Sequence, residues 1–204
     1  MKSFLALLLL PLALQAQAQD SGTYEVYFQP LSIAGKLEGC SLVFTGLVRD
    51  FFYSKGAQVI VNGSIGYRTL NRPDSLMFAA KLGTKPLMQG GGSSDWVAPS
   101  HFHFATKSAS SAGKGKLVDG EPGYRLLVTH ADRDMLRFLE EMVDAGGFVV
   151  GFNRKPGGQD VLLRIQLDVS VTEDASGNTV QVRNEETVAD FMTCIGQLVS
   201  AIKK

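Results

Sequence analysis

Two histidines separated by a single residue are the side chains of this sequence best suited to metal chemistry. His101 and His103 stand at i and i+2 in the segment His-Phe-His-Phe, and on a strand this spacing points both imidazoles to the same face. Two imidazoles on one face can share a zinc or copper ion. A site needs a third ligand, for which His130, Asp95 and Asp132 are the candidates. The alternative is a strand with phenylalanines in the core and histidines in solvent.

Other patterns associated with catalysis are weak. Ser64 lies in Asn-Gly-Ser-Ile-Gly, where Asn62 replaces the first glycine of a nucleophile elbow. The segment also continues a strand pattern, whereas the elbow requires a turn between a strand and a helix. Two acidic pairs, at 140–141 and 185–186, fall on predicted helices, where adjacent side chains point in different directions. The sequence therefore favours a protein that is not an enzyme.

Two loop residues are candidates for recognition of a partner. Trp96, the only tryptophan, lies in a Gly/Ser-rich segment, and an aromatic side chain on a loop can anchor a protein or carbohydrate partner. Burial of the ring against the body of the protein is the alternative. Arg154 and Lys155 lie in a turn with the sequence Asn-Arg-Lys-Pro-Gly-Gly. This turn is either a basic contact for an acidic partner or a solvated hairpin tip.

The N-terminus has the pattern of a secretory signal peptide. Lys2 precedes an apolar stretch at residues 5–14, and Ala-Gln-Ala at 16–18 is a small-residue cleavage site. Cleavage near Ala18 leaves residues 19–204 as the mature chain. The apolar stretch is about half as long as the roughly twenty residues that span a bilayer, so we expect no transmembrane segment in the mature chain. The sequence therefore predicts a soluble periplasmic or secreted protein.

Charge and cysteine content restrict the partners and the compartment. The chain has 20 basic and 20 acidic side chains and no long basic run, which argues against a nucleic-acid partner. The only cysteines are Cys40 and Cys194, and an oxidising compartment favours a disulfide bond between them. Such a bond makes the two ends of the chain neighbours in one folded unit. Two buried free thiols are the alternative.

The elements that must position these residues are mostly strands. Alternation of apolar and polar residues predicts strands at 24–29, 40–48, 58–70, 76–82, 101–106, 124–129, 148–152 and 161–171. Helical spacing predicts one helix, capped by Asp132 or Thr129, with Met135, Leu136, Leu139, Met142 and Val143 on its apolar face. A second helix begins at Asn184 or Thr187 and carries Val188, Phe191, Met192, Ile195, Leu198, Val199 and Ile202. Gly/Ser-rich composition predicts flexible loops at 89–99 and 108–122.

A polar face on most strands favours an α+β fold in a single domain, with a largely antiparallel sheet packed with two amphipathic helices. A β-sandwich with a C-terminal helix is the alternative. We expect an exported, non-enzymatic binding or accessory protein, such as an inhibitor, an immunity-type partner or an assembly factor. It would recognise a protein or envelope component through the loops around Trp96 and Arg154. The alternative function is a metal-binding protein or metal-dependent hydrolase that uses His101 and His103.

Overall fold

A computed structural model describes residues 21–69, 75–87 and 94–202. The predicted signal peptide, residues 1–18, lies outside the described residues, as does most of the glycine-rich part of the predicted 89–99 loop. Within the described ranges the chain forms eleven strands and two helices. Neighbouring strands of each sheet run antiparallel, as the sequence predicted.

The strands and helices follow one another along the chain with short connections. The strands are β1 (Gly22–Ile33), β2 (Lys36–Asp50), β3 (Ala57–Arg68), β4 (Met77–Pro86), β5 (His101–Ala105), β6 (Lys116–Asp119), β7 (Tyr124–His130), β8 (Gly147–Asn153), β9 (Val161–Gln166), β10 (Val169–Glu173) and β11 (Thr179–Arg183). The helices are α1 (Arg133–Asp144), between β7 and β8, and α2 (Glu186–Ile202), after β11. Among the described residues, none of the helices is both long enough and apolar enough to cross a membrane.

The larger sheet has six strands in the order β1-β2-β3-β4-β7-β6. Leu42 of β2 lies opposite Ile65 of β3, and Ile65 lies opposite Ala80 of β4. All three side chains are buried, because apolar residues at every second position of a strand share one face. One face of this sheet therefore lies in the core, and the other faces solvent.

A smaller sheet, in the order β5-β8-β9, covers the buried face of the larger one. Phe44 of β2 makes edge-to-face contacts with Phe104 of β5 and Phe148 of β8, with ring centroids 6.2 Å and 5.5 Å apart. Phe138 of α1 extends this cluster, and its ring centroid lies 5.9 Å from that of Phe78 of β4. The core is thus a layer of aromatic rings between the two sheets, closed on one side by α1.

Both helices pack through apolar stripes, with differences from the predicted positions at Leu136 and Phe138 of α1 and at Met192 of α2, which is 38% exposed. Of the two predicted caps, Asp132 is the one that caps α1, and its carboxylate accepts a hydrogen bond from the Met135 amide at 3.0 Å. Phe138 is buried on α1, whereas Leu136, which the predicted stripe included, is exposed. The α2 helix lies against β1 and β2, and a disulfide bond joins Cys194 of α2 to Cys40 of β2. The predicted disulfide is therefore present.

The predicted strand at 161–171 is divided in the structure. A turn at Leu167 and Asp168 separates β9, in the smaller sheet, from β10, which pairs only with β11. The Leu167 amide donates a hydrogen bond to the Gly146 carbonyl at 3.0 Å, and this contact holds the turn at the end of α1. Instead of the single sheet that we predicted, the described residues therefore form three.

The predicted flexible loop at 108–122 is partly ordered, since it contains β6. Its first residues are fastened to α1 through Glu141, which accepts hydrogen bonds from the Thr106 hydroxyl at 2.6 Å and from the Ser108 amide at 2.9 Å. The Ser108 hydroxyl also donates to this carboxylate. The hydrogen bonds from Ser108 and Thr106 lower the pKa of Glu141 to about 2.

The open side of β1 is covered by the β10–β11 hairpin, of which β11 was not predicted. The Gln181 side-chain amide donates hydrogen bonds to the carbonyl groups of Thr23 and Tyr24, at 3.1 Å and 2.8 Å. The Ser170 hydroxyl donates to the Val26 carbonyl at 3.5 Å. Side chains therefore satisfy part of the backbone that an edge strand leaves unpaired.

Candidate functional site

The solvent face of the larger sheet contains a depression of about 490 Å³, lined by residues from β1, β2, β3, β4 and β7. Its floor consists of small residues on neighbouring strands. Ser41 lies opposite Gly66, and Gly66 lies opposite Ala79. A Cβ atom at Gly66 would collide with the Cys40 carbonyl and the Ser41 hydroxyl, so the two strands require glycine here. Small residues in the centre of the face therefore produce a concave surface.

Longer side chains form the rim of this depression. Tyr27 and Gln29 line it from β1, at one edge of the sheet. The middle strands contribute Arg68 and Lys81, and the opposite side is lined by Glu121, Leu126 and Val128. The rim thus combines an aromatic ring, an amide, charged groups and aliphatic groups around a floor that includes the hydroxyls of Ser41 and Ser64.

Trp96 lies on the same face of the sheet, beside the depression. Its ring centroid is 5.3 Å from that of Tyr124, and Gly123, at φ +84°, leaves no space for a Cβ next to the Trp96 backbone. The Tyr124 hydroxyl donates a hydrogen bond to Asn62 Oδ1 at 3.1 Å, and Asn62 lines the depression. The Trp96 ring is half-buried; it fastens its loop to the sheet and extends the wall of the depression.

The charges on this face are mostly positive, although the whole chain is neutral. The strand register places five basic residues on the solvent side against Glu25, with Glu121 in the adjoining loop; the basic residues are Arg49, Arg68, Lys81, Lys85 and Lys116. Lys81 Nζ is 2.7 Å from Glu121 Oε1 and 4.6 Å from the centroid of the Tyr124 ring. Lys81 is therefore partly neutralised.

Two polar groups of the depression have no partner within the described residues. Arg68 makes no ion pair there, and its buried Nε atom has no hydrogen-bond acceptor. The Ser41 side chain is only 6% exposed, and its hydroxyl makes no hydrogen bond to the described part of the chain. Because a buried polar group without a partner costs free energy, the buried Nε atom of Arg68 favours a bound acceptor. The Ser41 hydroxyl oxygen remains accessible to the same molecule.

His101 and His103 lie on the outer face of the smaller sheet, as the sequence predicted, with ring centroids 6.1 Å apart. His103 Nδ1 is 3.6 Å from Asp160 Oδ2, and Asp160 Oδ1 accepts a hydrogen bond from Asn153 Nδ2 at 2.9 Å. Burial lowers the pKa of His103; the charge of Asp160 opposes this effect, and the charge of His101 adds to it. The His103 ring also covers Gly151, where any Cβ would collide with it.

The residues expected to complete a metal site are not gathered around this pair. His130 lies at the end of β7, in the other sheet, opposite Met77. Asp132 caps α1 and accepts a hydrogen bond there. In residues 21–69, 75–87 and 94–202, no group of three or more His, Cys, Asp or Glu side chains is arranged to hold a metal ion. A site that uses His101 and His103 would need ligands from a second molecule or from water.

Arg154 has a partner inside the protein. Its side chain is 16% exposed, and its Nε atom is 3.9 Å from Oδ2 of the fully buried Asp50. The guanidinium also donates to the Ser54 hydroxyl at 3.3 Å. Asp50 accepts hydrogen bonds from the amides of Phe52 and Tyr53, at 3.0 Å and 2.8 Å, and from the Ser54 hydroxyl at 3.0 Å. Arg154 therefore supports the turn between β2 and β3.

Several exposed or unpartnered residues were not identified from the sequence. Phe51 and Phe52, in the turn between β2 and β3, are 70% and 51% exposed; the adjacent Ser-Lys-Gly turn signal could have indicated this position. Ser41 and Arg68 were polar positions on predicted strands, and only the register brings them to the same depression. Recurrent small residues on the outer side of three strands were the signal that could have revealed a concave face.

No protein-family model, curated protein or solved structure matches this chain. The chemistry of its own residues is therefore the guide to its function.

Proposed function

We propose that this chain is an exported, non-enzymatic binding or accessory protein that recognises its partner through the outer face of the larger sheet. The observation that carries the proposal is the depression in that face, where the Ser41 hydroxyl and the Arg68 guanidinium have no partner among the described residues. Leaving a buried polar group unpaired costs about 1–3 kcal/mol. A ligand that accepts a hydrogen bond from the buried Nε atom of Arg68 would recover part of this cost.

The position of Trp96 supports the same surface. The aromatic contact with Tyr124 fixes the Trp96 loop at the side of the depression, so an incoming molecule would meet a preformed wall. A preformed site loses less conformational entropy on binding than a mobile loop does.

The disulfide between Cys40 and Cys194 supports the exported location. Disulfide bonds persist in the periplasm and outside the cell, whereas thiols of cytosolic proteins are kept reduced. We propose residues 1–18 as the segment that directs the export, because of their positive start, apolar stretch and small-residue cleavage site.

Filling the depression with a large side chain tests this proposal. Ser64 lies on its floor, so Ser64→Trp should block the depression without disturbing the core, which lies on the other side of the sheet. We would measure the binding of mature protein to protein, lipid and glycan fractions of its own cell envelope. We expect saturable binding to one fraction, weakened by Ser64→Trp at least about tenfold, which corresponds to roughly 1.4 kcal/mol.

The matched control is Thr172→Trp, which places the same ring at an exposed position of β10 and should bind as the wild type does. Urea unfolding of both variants would verify that they are folded. Equal binding by wild type and a folded Ser64→Trp variant would overturn the proposal, as would the absence of saturable binding to every fraction.

A further inference from the structure

We infer that the ligand of this depression is an acidic oligosaccharide that lies across the strands of the larger sheet. This inference rests on the proposed function, since it names the class of molecule that the same surface would bind.

The shape of the depression favours an extended ligand. Its lining residues come from five strands that are adjacent in the sheet. Neighbouring strands are about 4.8 Å apart, so the depression is about 20 Å long across the sheet. A chain of several sugar rings matches that length, whereas a compact metabolite would occupy only part of it.

The chemistry of the floor favours hydroxyl groups over a peptide backbone. An extended peptide commonly binds by adding a strand at the edge of a sheet, where backbone groups are free. Here β2, β3, β4 and β7 each pair with a strand on both sides, so their backbone groups are already used. The depression instead offers the hydroxyls of Ser41 and Ser64 and the amide of Gln29. Each of these groups can both donate and accept hydrogen bonds, as sugar hydroxyls do.

The rim also offers apolar surface that matches a sugar ring. Tyr27 is 44% exposed, so its ring can contact the C–H groups on the flat side of a sugar. Leu126 and Val128 line the opposite side. Apolar surface at both sides and hydrogen-bonding groups between them suit a ring that is apolar on its faces and polar around its edge.

The charge of the depression favours an acidic ligand. Glu121 compensates Lys81, but the Arg68 guanidinium has no carboxylate partner among the described residues. The planar donors of arginine match the two oxygens of a carboxylate. Lys85 and Lys116 add positive charge on the same side of the sheet. A sugar acid would provide both the hydroxyl groups and the negative charge that this face lacks.

The test is calorimetric titration of the mature protein with three probes: a short oligogalacturonate, its methyl ester, which lacks the charge, and an acidic peptide of glutamate residues. We expect oligogalacturonate to bind about tenfold more tightly than the other two probes, and added salt to weaken it. Arg68→Gln should remove this preference for the acid. The matched control is Arg164→Gln, on the exposed side of β9, which should bind as the wild type does.

The outcomes distinguish this inference from the function on which it rests. Equal affinity for the acid and its methyl ester, tighter binding of the glutamate peptide, or an unchanged acid preference in Arg68→Gln would overturn the assignment of an acidic oligosaccharide. If no probe binds while an envelope fraction binds in a way that Ser64→Trp blocks, the ligand class is wrong and the proposed function stands. If neither the probes nor any envelope fraction binds, both are wrong.

Discussion

Asp50 is a fully buried carboxylate that organises the turn between β2 and β3, because it accepts three hydrogen bonds and faces Arg154. Asp50→Ala removes these acceptors and leaves the half-buried guanidinium without its carboxylate. We expect the free energy of unfolding to fall by about 3 kcal/mol, measured by urea unfolding. Asp50→Asn keeps one side-chain oxygen as an acceptor, so its free energy of unfolding should fall less than that of Asp50→Ala. An alanine variant as stable as the wild type would show that this end of the molecule is held by other contacts.

His103 provides a pH-dependent contribution to stability. Burial lowers its pKa below the usual value, so between the folded and unfolded pKa values the unfolded chain binds the proton more readily. The contribution of neutral His103 to the free energy of unfolding is therefore complete above the pKa of the unfolded state, about 6.5. It is lost as the pH falls through the lower pKa of the folded state. Urea unfolding over this range should show a steeper loss of stability for the wild type than for His103→Gln.

The charge of Asp160 raises the pKa of His103 and so opposes the effect of burial. Asp160→Asn should therefore lower the pKa further, which NMR titration of the imidazole would detect. A pKa that rises in this variant would contradict the assigned contact between the two side chains.

At the scale of elements, the turn between β2 and β3 presents Phe51 and Phe52 to solvent while its interior is fixed by Asp50. Because both rings are mostly exposed, Phe51→Ser combined with Phe52→Ser should change the free energy of unfolding by less than about 1 kcal/mol. Binding of a hydrophobic dye to the folded protein should fall. The control, Leu162→Ser, alters a similarly exposed apolar side chain on β9. A loss of stability far beyond that of the control would mean that the two rings support the fold.

Alternation along single strands predicted much of the larger sheet, because Leu42, Ile65 and Ala80 belong to patterns that specify one buried face. The same reasoning missed the division between β9 and β10. Apolar residues continue at every second position through Leu167 to Val169, both of which are buried. Alternation reports which side of a strand is buried, but it does not report which strand lies next to it.

The candidate site could be predicted only in part. The isolated Trp96 indicated a loop of interest, and the structure places it beside the depression. The positions of Arg68 and Arg154 depend on residues that are distant in sequence. Arg68 lines the depression because of the register of three strands, and Arg154 contacts Asp50 because two turns lie close together. Local sequence patterns contain no information on either arrangement.

At the scale of the whole molecule, the disulfide closes most of the described chain into one loop, since 154 positions separate Cys40 from Cys194. A disulfide stabilises the folded state because it reduces the entropy of the unfolded chain. For a loop of this size the stabilisation is about 5 kcal/mol, and loss of a native disulfide commonly costs about 2–5 kcal/mol. Urea unfolding should show that reductant lowers the free energy of unfolding by an amount in this range. The variant with Cys40→Ala and Cys194→Ala should be insensitive to reductant. An equally stable reduced protein would mean that packing of α2 alone holds the two ends together.

The side-chain amide of Gln181 on the carbonyl groups of Thr23 and Tyr24 has a consequence for the behaviour of the protein at high concentration. A strand with free backbone groups can recruit a strand from a neighbouring molecule and so begin a fibrous aggregate. The β11 strand that carries Gln181 is exposed along its whole length, so its detachment is opposed by its pairing with β10 and by the Gln181 hydrogen bonds rather than by burial of its side chains. A molecule that loses only this cover keeps its core intact, yet it acquires a surface on which other copies can assemble.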